Sequence, residues 1–202
     1  MRPTQQTTAE VMAERAAFAE ALVSIDASRL IFAPGESGVI QGLRLAYGYA
    51  PSGERCVEAA PYRKGRRTSL IGWIGSTCGA VTALPGTVGR AEFERFVVDD
   101  LAPSLEAGDV VVWDNHTIHK DALLVAEIEA KGASVRWLPR YSPDMNPAEW
   151  LWSWLKRRVR VACADTSDAV IGALREAVSE GDVGMVEGWI RQGGFQLQPQ
   201  TV

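Results

Sequence analysis

Asp109-Val110-Val111-Val112-Trp113-Asp114-Asn115, followed downstream by Tyr141-Ser142-Pro143-Asp144-Met145-Asn146-Pro147-Ala148-Glu149, is the part of this chain whose reading decides the fold. The first piece is a short apolar run that stops at an acid and a turn-former, the pattern of a buried strand. An acid at the C-terminal end of such a strand stands at the rim of a sheet, where open α/β folds place their ligands. The second piece ends in a helix start. Asn146 suits the N-cap, Pro147 the first helical position, and Glu149 then falls in the first turn. The helix runs on through Trp150-Leu151-Trp152-Ser153-Trp154-Leu155-Lys156-Arg157-Arg158.

Working outward, Ala133–Leu138 reads as a further strand, and Asp121–Lys131 as a helix closed by Gly132. Apolar residues at Phe93, Phe96, Val97 and Leu101 have helical spacing within 90–105. Upstream, 68–74 and 80–84 read as a hairpin, 43–50 as an alternating strand, and 55–60 as a candidate strand. Pro34, Gly35, Ser37 and Gly38 make 31–41 a loop. Ala21–Asp26 repeats the pattern of an apolar run ending in an acid and reads as the first strand, after a helix over 8–21. Helices over 166–180 and 183–192 close the chain. Hairpins followed by alternating helices and strands predict an α/β fold with a mixed sheet, antiparallel in one half and parallel in the other.

These residues resemble the catalytic domain of mariner-like insertion-sequence transposases of the DDE superfamily. The resemblance rests on Asp114-Asn115, His119-Lys120 and the run Tyr141 to Glu149, with 34 residues between Asp114 and Glu149. It is thinner over Ser24-Ile25-Asp26 and Gly48–Arg55. It implies a ribonuclease-H-like sheet flanked by helices, with domain bounds of 21–195, a helical extension over 1–20 and a tail over 196–202. It also implies a catalytic and metal-binding triad of Asp26, Asp114 and Glu149 holding two Mg2+ or Mn2+ ions. Such a pair of ions stabilises both the attacking and leaving oxygens of an in-line phosphoryl displacement. The activity implied is cleavage and strand transfer of DNA at transposon ends, in a homodimeric synaptic complex with end and target DNA. Family members carry helix-turn-helix modules before this domain; with the first acid expected at residue 26 they are expected to be missing from this chain, as in the second half of a split reading frame, a truncated copy or a cloned domain.

Each acid has a plainer alternative. Asp114-Asn115 suits a turn after a strand. Glu149 has capping-box spacing from Asn146 and could simply bond back to the Asn146 N–H. Asp26 is followed by Ala27, where the family has a second acid; Glu36 is the next candidate for that position. Asp144 reads as a turn residue, and His116 and His119 as surface or hydrogen-bonding groups. Rival functions are a non-catalytic remnant that binds DNA or protein through the same fold, and a nuclease that hydrolyses without joining strands.

Composition narrows the class without naming it. With 47% hydrophobic and 23% charged residues the chain is an ordinary globular one rather than a disordered one. No apolar run is long enough to span a bilayer. Three cysteines without metal spacing fit a reducing cytoplasm. A net charge of −4 is a poor global signature for a DNA-binding protein. The basic residues are nevertheless clustered, in Arg63, Lys64, Arg66 and Arg67 and again in Lys156, Arg157 and Arg160. Either cluster suits phosphate contact, or equally a solvated face. On the helix after Glu149, projection at 100° per residue puts Ser153, Lys156 and Arg160 near Glu149 and packs Trp150 and Trp154 on the sheet, with Trp152 at the flank.

Overall fold

The computed structural model describes residues 4–62, 65–76, 78–115 and 120–195. A five-stranded sheet organises them: β1 (Leu30–Ile40), β2 (Arg67–Gly75), β3 (Gly79–Pro85), β4 (Val110–Trp113) and β5 (Ser134–Trp137). In space the strands run β3-β2-β1-β4-β5. β1 is the hinge between two kinds of pairing. It is antiparallel to β2 and parallel to β4, with Leu30, Ile31 and Phe32 level with Val110, Val111 and Val112. β4 and β5 are parallel as well. The expected mixed sheet is therefore present.

Helices cover both faces. α4 (Ala148–Val161), α5 (Ser167–Glu180) and α6 (Val183–Gln192) share one core with Leu30, Phe32, Val39, Leu70, Val110 and Val112. α2 (Arg90–Phe96), its π-helical continuation Val97–Leu101, and α3 (Ala122–Ala130) share the other with Ile31, Ala33, Ile71, Trp73, Val111 and Trp113. Alternate strand residues serve alternate cores, so a strand in the middle of the sheet reads as one continuous apolar run.

The first strand is not where the sequence pattern puts it. Ala21–Val23 forms the last turn of α1 (Ala9–Val23), and Asp26 caps a short 3-10 turn over Ala27–Arg29. The strand is instead 30–40, the stretch whose proline and glycines suggest a loop. Pro34 lies at an irregularity, because β1 spends an extra residue between Phe32 and Gly35 relative to β2. Such a bulge tolerates a proline that a regular ladder would not. The glycines answer to packing. Gly35 and Gly72 are cross-strand partners, and the indole of Trp152 in α4 lies against both. The stretches 43–50 and 55–60 form no strand; their alternation has no neighbouring strand to pair with.

A candidate metal centre between strand β4 and helix α4

β4 is buried along its whole length, and its residues alternate between the two cores. Val112 faces α4 and Trp113 faces away, so the next residue, Asp114, returns to the α4 side at the strand's C-terminal end. Trp113 is fixed by stacking on Trp137, ring centroids 5.5 Å apart. Asp114 therefore stands on a rigid element.

Glu149 reaches the same place from the first turn of α4. The segment before it is a 3-10 turn, Pro143–Met145, whose carbonyl at Pro143 accepts the Asn146 N–H at 3.0 Å. Asn146 Oδ1 accepts from the Ala148 N–H at 3.1 Å. The Asn146 donor is thus already used, and Glu149 is not the other half of a capping box. Asp114, Asn115, Leu138–Pro143, Asn146 and Glu149 line one open cleft of about 390 Å³. Glu149 opens onto this cleft, yet enough protein surrounds its carboxyl to raise its pKa by desolvation. Lys156 opposes the shift and Asp114 adds to it. Two carboxylates here repel, which disfavours ionising both.

Asp26 does not join them. It precedes β1 and lies at the N-terminal end of the parallel pair, where Arg29 bonds Asp109 at 3.3 Å and Glu106 at 3.0 Å. From the level of Val110 to Asp114 is about 13 Å at roughly 3.3 Å per residue. The Asp26 carboxylate accepts from the Ser28 N–H at 2.9 Å, a bond that holds its pKa below the usual value. It is a turn cap at the opposite end of the sheet, and its expected place in the triad is corrected accordingly. Glu36 does not replace it on the α4 side. It stands across from Ile71, whose side chain belongs to the other core. Beyond Phe32, which is level with Val112, the β1 residue that faces α4 is Gly35. A Cβ there would lie 2.8 and 2.9 Å from Cε2 and Cζ2 of Trp152, and closer still to Nε1. Among the described residues no group of three metal-ligating side chains forms.

The basic residues divide. Lys156 is near enough to Glu149 to affect its ionisation. Arg157 is exposed and Arg160 half-buried on the same helix. Arg66 and Arg67 stand at the far end of the sheet, where Arg67 pairs with Ile40. Arg63, Lys64, His116 and His119 lie outside the described residues.

Two features escaped the sequence pattern. Trp152, placed at the helix flank by projection, is 2% exposed, and its Nε1 has no partner among the described residues. The cleft's outer wall is also gripped by α1 and by the 3-10 turn before it, Thr4–Thr7. Arg15 binds both oxygens of Asp144 at 2.9 and 2.7 Å, Arg140 binds Glu10 at 2.5 Å and Glu14 at 2.6 Å, and Gln6 donates to the Tyr141 carbonyl at 2.7 Å. Tyr141 holds a φ of 55°, rare for a non-glycine residue. Only the adjacency of Arg140 and Asp144 to the cleft motif hinted at this in the sequence.

A family model described as DDE superfamily endonuclease matches residues 34–171. The chain belongs to that family. The match starts at Pro34, inside β1 and downstream of Asp26, consistent with the strand's observed position. No curated protein matches the chain in sequence. Solved structures match in shape. The Mos1 transposase paired-end complex with left transposon end has TM-score 0.74 and 19% identity, covering 95% of this chain and 61% of that one. The mariner Mos1 paired end complex with Mg has TM-score 0.70 and 16% identity, over 96% and 63%. The catalytic domain of Mos1 mariner transposase has TM-score 0.61 and 15% identity, over 95% and 97%. This chain thus spans about three-fifths of the longer transposase chains it matches and nearly all of the isolated catalytic domain. Its fold is the ribonuclease-H-like sheet of a DDE transposase catalytic domain.

Proposed function

We propose that the chain works on DNA at transposon ends as a transposase catalytic domain, whose fold serves phosphodiester cleavage and strand transfer and whose metal centre would carry these out once completed by a third ligand. One observation carries this reading: Asp114 and Glu149 converge on one cleft from a buried strand end and a helix start. Carboxylate oxygens suit Mg2+ or Mn2+, and a cation would offset both the burial that raises the Glu149 pKa and the smaller repulsion from Asp114. Mos1 has been solved as paired end complexes with Mg, with Mn and with left transposon end, which supports the same cations and the same polymer here. A bound divalent ion would supply Lewis-acid polarisation of a phosphodiester and a water of lowered pKa.

The chain's own residues do the rest. Asp114 would hold such an ion from a strand that cannot move without unpacking two cores. Glu149 faces it across the cleft. Lys156, one α4 face along, offers its ammonium to a phosphate, and Arg157 and Arg160 extend that track toward Arg66 and Arg67. Such contacts hold a backbone without reading sequence. A synaptic homodimer on end and target DNA belongs to the same proposal.

A second reading is favoured by Gly35: the domain holds DNA ends without cutting them. Incubation of a pre-cut end duplex with Mg2+ or Mn2+, with and without target DNA, separates the two. Metal-dependent products lost in Asp114→Asn support cutting. Binding to the same duplex that is strengthened by metal, with no product, supports holding.

A further inference from the structure

We infer that the centre in this chain takes one divalent ion, not two, and that it holds DNA without cleaving it because residue 35 supplies no ligand. The inference rests on the reading of Asp114 and Glu149 as metal ligands and goes on to what a third ligand would require. Two divalent ions about 3.5–4 Å apart repel each other, and two carboxylates carry only half the charge that would offset them, so a second ion calls for a further ligand. Two sides are occupied, by the end of β4 and the start of α4. Among the described residues the side still open to a ligand is β1, which lies parallel to β4 and in register with it up to Phe32 and Val112. Past that level the β1 residues next in line are Ala33, Pro34 and Gly35, and none carries a side-chain oxygen.

The structure shows more than an empty position. Gly35 and its cross-strand partner Gly72 form a shallow trough, and Trp152 fills it. A Cβ at Gly35 would lie 2.8 Å from its Cε2 and nearer still to Nε1, and one at Gly72 would lie 3.0 Å from its Cη2. The indole is fully buried, so it cannot swing aside into solvent. Its Nε1–H points to the strand at Gly35 and finds no acceptor among the described residues. Buried donors are rarely left unpaired. A carboxylate on residue 35 would be such an acceptor, but with the present ring position it has no room. Glu36, the acid next to it, faces the other core. Asp26 is at the wrong end of the sheet.

The test uses Mn2+ as the probe and the whole chain. Calorimetric titration of the wild type is expected to give one Mn2+ per chain, lost in Asp114→Asn. Supercoiled plasmid with Mn2+ should show no nicking above a protein-free control. The double variant Gly35→Asp/Trp152→Leu makes an acid and makes room for it. It is expected to bind two Mn2+ and to nick the plasmid at least tenfold above the wild type, one water hydrolysing one phosphodiester to a 3′-hydroxyl and a 5′-phosphate. Two ions per wild-type chain, or wild-type nicking abolished by Asp114→Asn, would overturn the inference. So would a double variant with native circular dichroism that still binds one ion. If that variant fails to fold, the wild-type stoichiometry and nicking decide alone. Absence of any Mn2+ binding by the wild type would sink the assignment of Asp114 and Glu149 itself, a different failure with a different signature.

Discussion

Gly35→Ala is a one-methyl change whose sign can be worked out from the fold. The backbone at Gly35 is ordinary strand, with no positive φ, so alanine suits it locally. In open space the exchange would stabilise by about 0.4–1 kcal/mol, because alanine restricts the unfolded chain. The space is not open. The new methyl would fall on the indole of Trp152, a rigid ring that is 2% exposed. Overpacking of this kind costs about 1–3 kcal/mol. A chain of this size loses about 2–4 °C of Tm per kcal/mol, so the variant should melt roughly 2–12 °C lower.

Trp152→Leu removes the obstruction at its own cost, about 2–4 kcal/mol by comparison with large-to-small exchanges in cores. In that background Gly35→Ala should become neutral or stabilising. The expected coupling is about 1–3 kcal/mol, in the range seen for residues in contact. Gly72→Ala is the control. Its Cβ would also meet the Ala80 carbonyl oxygen at 2.5 Å, a backbone atom that Trp152→Leu does not move. That exchange should destabilise in both backgrounds. Thermal melts of the four Gly35/Trp152 variants and the two Gly72 variants suffice. If Gly35→Ala costs the same with Leu at 152 as with Trp, the trough does not hold the indole and the reasoning about residue 35 fails with it.

Mg2+ at about a hundred times its Kd should stabilise the fold by about 2.7 kcal/mol, or roughly 5–11 °C, and Asp114→Asn should lose most of that rise in a melting titration. Without metal, Glu149→Gln should melt above the wild type at neutral pH. The Glu149 pKa is raised in the fold. Its carboxyl therefore favours the folded state fully below its unfolded value, and that contribution is lost as pH rises through the raised one. The advantage of Gln should vanish near pH 4 (about its unfolded value), and a gap that persists there would count against the assignment. Glu10→Gln/Glu14→Gln should release Arg140 from α1 and tighten binding to a DNA duplex by filter binding; unchanged affinity would leave α1 as a structural brace only. Reversing Arg157 and Arg160 to Glu should weaken binding about equally on end-repeat and scrambled duplexes and flatten the salt slope by about 0.9 for each phosphate no longer neutralised.

Asp114 and Glu149 were legible because each follows from local structure. A strand end and a helix start are fixed by a handful of neighbouring residues, and those residues also place the side chain. β1 was not legible for the opposite reason. Pro34, Gly35 and Gly38 look like turn chemistry, but a bulge and the approach of Trp152 and Arg67 explain them, and those causes lie far along the chain. The apolar run at 21–25 misled because it resembles the run before Asp114. What separates them is lateral pairing: Val111 and Val112 have strands on both sides, whereas Val23 is 84% exposed at the end of a helix. Alternation over 43–50 failed likewise. Leu45, Tyr47 and Tyr49 are exposed, since an alternating pattern makes a strand only where a neighbour supplies the hydrogen bonds.

Projection of α4 found the Glu149 face and misjudged Trp152, and the error exposes a mechanical link. Residues three apart on a helix share a side, one above the other. Glu149 opens onto the cleft, and Trp152, one turn on, presses into the glycine trough of β1 and β2. The indole that fixes the pitch of α4 against the sheet thereby fixes where the Glu149 carboxyl sits relative to Asp114. Any acid introduced at residue 35 must displace that indole, and in doing so it moves the helix turn that carries Glu149. A working third ligand therefore calls for two coordinated changes, one on the strand and one on the helix. Gly35→Asp alone is expected to disturb the existing pair before it completes a triad.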